Sequence, residues 1–157
     1  MYKKILVPLD GSELAECVLP HVESIASGCG VQDVVFLRVV EPFYMPTSWD
    51  GSAITIRADI IQDINSQNKA NAEKYLSQVV SRTTYGTVNI HSAVITGRAT
   101  EAIVDYATKN EIELIIIATH GRSGVSRWVW GSVADRVLRS ACVPVLMVRA
   151  PGCVPGI

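Results

Sequence analysis

IIIATHGRSGVSRWVWGSVADRVLRSACVPVLMVR, residues 115–149, holds a strand, a glycine-rich loop, a helix and a second strand in unbroken succession. Glu113–Ala118 (ELIIIA) is apolar enough for a strand covered on both faces. Thr119–Gly131 is rich in glycine, and Ser132-Val133-Ala134-Asp135 has the spacing of a capping box. Val133, Val137, Leu138 and Ala141 form one stripe of the following helix. Val143–Val148 (VPVLMV) closes the segment. Pro144 cannot donate to a ladder, so this strand is expected at an edge, or to join the sheet after the proline.

The same alternation extends upstream. Lys4–Leu9 (KILVPL) predicts a first strand, and Ala15, Val18, Leu19, Val22, Ile25 and Ala26 predict a helix stopped by Gly28-Cys29-Gly30. Pro20 should kink that helix on its solvent side. Asp10 or Ser12 can cap it, with Glu13 completing a capping box. Val34–Val40 (VVFLRVV) reads as a buried strand and Glu41–Gly51 as a loop. A long helix is expected from about residue 54 to 81, with Ile61, Ile64, Ala72, Tyr75, Leu76 and Val79 as its stripe. Thr87–Thr96 alternates like a strand near an edge, and a third helix begins at Ala99. A β-α-β-α-β-α-β-α-β string implies an α/β fold, an open parallel sheet with right-handed crossovers and helices on both faces. Ligands in such folds bind beyond the carboxyl ends of strands where the strand order reverses. The chemically marked ends are Pro8-Leu9-Asp10-Gly11-Ser12 and Thr119-His120-Gly121-Arg122-Ser123-Gly124, which locates the expected site between strands one and four.

Composition narrows the function. The 157 residues are 48% hydrophobic and 18% charged, with 14 Lys plus Arg against 15 Asp plus Glu. That balance disfavours nucleic acid, whose binding needs an excess of cations. The longest uninterrupted apolar stretch, Leu114–Ala118, is far short of the roughly 20 residues that span a bilayer. The apolar run near the start, Ile5–Leu9, is too short for a signal peptide. Cys17, Cys29, Cys142 and Cys153 are scattered, without CxxC or paired histidines, and read as reduced thiols rather than a disulfide or zinc framework. The expectation is a cytoplasmic protein with neither nucleic acid nor membrane as partner.

The marked loops suit a phosphorylated ligand. Backbone N–H groups of a loop flexible at Gly121, Gly124 and Gly131 can wrap phosphate oxygens, the next helix adds its positive N-terminus, and Arg122 and Arg127 add cations. Such glycines also punctuate ordinary loops, and Ser132 could serve simply as an N-cap. Asp10 suits a ribose hydroxyl, a magnesium-bound water or a helix cap. Trp128 and Trp130 are expected to pack on the protein or a partner subunit. There is no GxxxxGK[ST], no GxGxxG after the first strand, no metal cluster and no Ser or Cys set beside a His with an orienting acid. No catalytic residue is assigned.

KKILVPLDGSELAE, FLRVVEP, VITGRATEAIVDYA and residues 115–149 together resemble the universal stress protein family over 1–149, with 150–157 as a tail. The resemblance implies a Rossmann-like five-stranded sheet of order 3-2-1-4-5 and a homodimer through the last strand, Val143–Val148. The apolar edge at that strand favours pairing independently. The family's nucleotide motif, Gly-x2-Gly-x9-Gly-Ser/Thr, reads here Ala118-x2-Gly121-x9-Gly131-Ser132, with Ala in place of the first Gly. The extra methyl is tolerable if φ is negative there. By resemblance, Pro8, Leu9 and Asp10 flank an adenosine, the Val39 backbone meets the base edge, and Ile117 and Ala118 line base and sugar. Gly121, Arg122, Gly124, Gly131, Ser132 and Val133, with His120, surround the phosphates. The Gly97-Arg98-Ala99 turn lies beside the ribose. The implied cofactor is ATP, or ADP or AMP, with Mg2+ carried by the phosphates. The implied function is a stress-response regulator switched by nucleotide; an empty dimeric scaffold and a slow ATPase are the alternatives.

Overall fold

The structure, a computed structural model, describes residues 1–44, 53–119 and 131–149. Five strands, β1 (Lys4–Pro8), β2 (Asp33–Val40), β3 (Asn89–Thr96), β4 (Leu114–Ala118) and β5 (Val145–Val148), form one sheet of order β3-β2-β1-β4-β5. Every pairing is parallel. Four α-helices connect them: α1 (Leu19–Cys29), α2 (Ala53–Arg82), α3 (Ala99–Lys109) and α4 (Ser132–Ser140).

Alternation along the strands sorts side chains into two cores. Ile5, Val7, Val34, Phe36, Leu114 and Ile116 face Val18, Val22, Ala26, Leu76 and Val79 on one side of the sheet. Leu6, Val35, Leu37, Ile115 and Ile117 face Ile103, Ala107, Ala134 and Val137 on the other. Because both faces of β1 and β4 are covered, β4 is apolar throughout and β1 from Ile5 onward. β3 borders only β2 and is half solvated, as its alternating sequence requires. β5 joins β4 just after Pro144, whose carbonyl accepts from Ile115 N–H at 3.0 Å.

Three local expectations need correction. Pro20 does not kink a helix. A 3-10 turn over Ala15–Val18 comes first, and Pro20 falls in the opening turn of α1, where a missing N–H costs nothing. The capping box at Ser132 does not form: Ser132 is already the first helical residue, and the carbonyl of Gly131 takes the Asp135 N–H at 3.0 Å while Asp135 pairs with Arg139. On α2, Ala72, Leu76 and Val79 are buried, but Ile64 is 38% exposed. A 30-residue helix is about 45 Å long. An eight-residue strand covers only about 26 Å, so the N-terminal half of α2 overruns the sheet. Gly30, at φ +66°, ends α1 in the left-handed conformation, as expected of a glycine stop.

Candidate functional site

β1 lies between β2 and β4, so the chain's progress across the sheet reverses there and leaves a crevice at the strands' carboxyl ends. A cavity of about 290 Å³ occupies it. Leu37, Val39, Ile103, Ile117 and Ala134 make an apolar wall, closed from the other side by Ala15.

The β1 side is built by a hydrogen-bonded turn. Leu9 N–H still donates to Leu37 O at 2.9 Å, after which the chain leaves the sheet. The next β2 residue whose backbone faces that side is Val39, which reaches past the end of β1 along the cavity wall. Asp10 Oδ1 accepts from Ser12 N–H at 2.9 Å and from the Ser12 hydroxyl at 2.6 Å. Ser12 Oγ in turn accepts from Ala15 N–H at 3.2 Å, so Asp10 and Ser12 brace the turn ahead of the 3-10 segment; neither caps α1, whose N-cap position is Val18 and carries no side-chain cap. Gly11 at φ +83° lets the chain reverse between them.

The β4 side is as tightly defined. Thr119 N–H donates to Val148 O at 2.8 Å, and Gly131 N–H to Thr119 O at 2.6 Å. Thr119, just past β4, and Gly131, at the start of α4, are thus one hydrogen bond apart. Gly131, Ser132 and Val133 line the cavity with the amino end of that helix. Its first N–H groups and partial positive charge suit an anion.

Of the expected site residues, Pro8, Leu9, Asp10, Val39, Ile117, Ala118, Gly131, Ser132 and Val133 all line this one cavity. His120, Gly121, Arg122 and Gly124 lie outside the described residues, as do Arg127, Trp128, Trp130 and the tail 150–157. Ala118 is not in the left-handed region: among the described residues the only non-glycine at positive φ is Glu111. The Gly97-Arg98-Ala99 turn reaches the cavity through Ala99, with Gly97 N–H on Val40 O at 3.1 Å.

Two polar lining residues were not assigned to the site from the sequence, along with the apolar Ala15, Leu37, Ile103 and Ala134. Thr119 is the one buried polar side chain among the described residues, at 4% exposure. Arg38 is half-buried and donates from Nη1 to Leu9 O at 3.3 Å. Its signal was present, a single charge inside the otherwise apolar VVFLRVV. With Asp10 it supplies the ionisable groups among the described lining residues. Among those residues no cluster of three or more metal-binding side chains occurs, and no helix is long and apolar enough to cross a membrane. Cys17, Cys29 and Cys142 are free thiols, and burial raises the pKa of Cys17.

The chain matches the family model described as the universal stress protein family over residues 1–149. Universal stress protein MJ0531 of Methanocaldococcus jannaschii is 30% identical over 155 residues, covering 96% of this chain and 84% of the relative. The solved structure of MJ0577, a protein of the same archaeon, superposes with a TM-score of 0.81 at 24% identity, over 97% of this chain and 99% of that one. A universal stress protein family protein from Arabidopsis thaliana, At3g01520, was solved with AMP bound. It gives a TM-score of 0.65 at 14% identity, over 96% of this chain and 93% of its own.

Proposed function

This chain belongs to the universal stress protein family, and on that premise we propose that it is a regulatory protein that binds an adenine nucleotide, ATP foremost, in the crevice between β1 and β4. The observation that carries this reading is the convergence on one cavity of the β1 exit, the backbone edge of Val39 and the amino end of α4. Each has a matching part of the nucleotide. The apolar wall of Leu37, Ile103 and Ile117 suits a planar base, and the Val39 N–H and C=O suit the adjacent acceptor and donor of the adenine edge. Pro8, Leu9 and Asp10 flank the ribose, and Ala118 closes the sugar side. Gly131, Ser132 and Val133 offer the phosphates a helix N-terminus, joined by His120, Gly121, Arg122 and Gly124 from the loop. The AMP held by the Arabidopsis relative supports the same ligand class. Mg2+ arrives on the phosphates and keeps mostly water as its remaining ligands.

In this reading residues 1–149 act as a single cytoplasmic domain followed by a short tail. Nucleotide occupancy selects its conformation or its protein partner, and the protein works as a homodimer joined through the last strand. Calorimetric titration of the nucleotide-free protein with ATP and Mg2+ tests the binding step. Saturable heat at about one ATP per subunit is expected. The absence of heat at several temperatures, from a correctly folded protein, would leave an empty scaffold as the better account.

A further inference from the structure

The amino end of α4 suits its part of the cavity lining to an anion, and β2 contributes a second positive group to the same lining, Arg38. Its place there is built in. Arg38 interrupts the apolar run of β2, and its guanidinium is tethered by Leu9 O at 3.3 Å. It lies over Gly11, within 3.7 to 3.8 Å of where a Cβ on that residue would stand. Asp10 follows Leu9 directly, and its Oδ1 is turned toward Ser12. The rim thus holds a guanidinium at the same turn as the carboxylate assigned to the ribose. β2 and β4 are two strand spacings apart, about 10 Å. In the nucleotide reading Asp10 meets the ribose, so the 2′ and 3′ oxygens face the β1 exit, where Arg38 is tethered to Leu9 O.

We propose that Arg38 makes this rim a second phosphate subsite, so that the preferred ligands are nucleotides phosphorylated on the ribose 2′ or 3′ oxygen as well as at the 5′ position. The inference rests on the nucleotide reading above and specifies its ligand. Asp10 alone would make the rim acidic and repel a second phosphate. Arg38 balances that charge, and its planar fork matches phosphate oxygens in pairs. In dinucleotide folds an arginine near the ribose accommodates a 2′-phosphate, where an acid instead takes the 2′-hydroxyl.

The test titrates the nucleotide-free full chain with AMP, adenosine 3′,5′-bisphosphate and adenosine 2′,5′-bisphosphate, using wild type, Arg38→Gln and Arg38→Lys. One bisphosphate should bind wild type about tenfold or more tighter than AMP, the scale of a charge-assisted hydrogen bond. Which one gains identifies the oxygen. In Arg38→Gln the ratio of bisphosphate to AMP affinity should fall to near one, and Arg38→Lys should keep part of it. Bisphosphates no tighter than AMP on wild type would overturn the proposal. So would a ratio that survives in Arg38→Gln, or an equal loss for both ligands, which would make Arg38 only a brace for the turn. If Arg38→Gln does not fold, wild type and Arg38→Lys still decide. Failure of AMP and ATP alike to bind wild type would instead remove the nucleotide reading itself, and this inference with it.

Discussion

Ala118 and Gly11 are opposite cases of what one methyl group means at a ligand site. Ala118 is buried in β4 outside the left-handed region, so the backbone there makes no demand for glycine. Ala118→Gly should therefore bring no conformational relief and should cost about 0.5–1 kcal/mol of stability through a looser unfolded chain and a lost side chain. Urea unfolding of the variant measures this, and a stabilised protein would contradict it. Gly11 has room for a side chain, since a Cβ would meet the Arg38 guanidinium only at 3.7 Å, but its φ of +83° is the obstacle. Gly11→Ala should lose about 1–2 kcal/mol from left-handed strain alone. It should also weaken ATP binding by displacing Asp10, which titration of the folded variant would detect. At this scale the sequence was readable where residue type limits the backbone and poorly readable where only neighbours decide. Arg38 stands out as the one charge in VVFLRVV but its purpose does not, and Thr119 looks ordinary; only the end of β1 and the return at Gly131 set them at the cavity.

Elements were legible from their apolar period, and their ends were not. The stripe from Ala15 to Ala26 is real, yet it is divided between a 3-10 turn and α1, because Ser12 and Pro20 favour different starting points for the same run. Likewise the period of α2 announced a helix but not how much of it meets the sheet. α2 is tied down in both halves: Phe43 N–H donates to Asn65 Oδ1 at 2.8 Å, the Tyr75 hydroxyl donates to Glu16 Oε1 at 3.0 Å, and Arg82 pairs with the same carboxylate. Beyond α2, the Tyr85 hydroxyl donates to Leu19 O at 3.3 Å, at the start of α1. Burial, and secondarily the charge of Glu23, push the Tyr85 phenol up from 10.0 to about 12. Burial and then Glu16 push Tyr75 up as well. Both phenols hold their protons more tightly folded than unfolded. Their contribution to stability is therefore complete below pH 10 and is lost as the pH rises toward 12. Unfolding free energy measured from pH 8 to 12 should fall along that limb. Tyr85→Phe should flatten the limb while costing about 1 kcal/mol at neutral pH for the lost hydrogen bond. An alkaline limb unchanged in Tyr85→Phe and Tyr75→Phe would show that these phenols are not responsible.

For the whole molecule, the five-strand order follows from few rules once the alternation of strand and helix is recognised, because right-handed crossovers leave little choice of topology. Assembly is the property that the isolated subunit leaves exposed. Among the described residues β5 pairs with β4 alone, which leaves the other backbone edge of its four residues without a strand partner there. Val145 and Met147 pack against the second core and Val148 is buried, but Leu146 remains 37% exposed. No charged residue or bulge protects this edge within β5, the usual means of keeping an edge unpaired. A two-fold axis beside β5 would pair it antiparallel with its copy, satisfy both edges and cover Leu146 on each subunit, continuing one sheet through two molecules. Such a pairing would adjoin the cavity, since Thr119 in its lining donates its N–H to Val148 at the end of β5. Sedimentation equilibrium should therefore give twice the 17.0 kDa subunit mass. Leu146→Lys should shift the protein to monomer with its fold intact, because a lysine on an edge strand opposes its own copy across the axis. A dimer untouched by Leu146→Lys would place the interface elsewhere. A wild-type protein that sediments as a monomer at high concentration, with and without ATP, would end the homodimer reading.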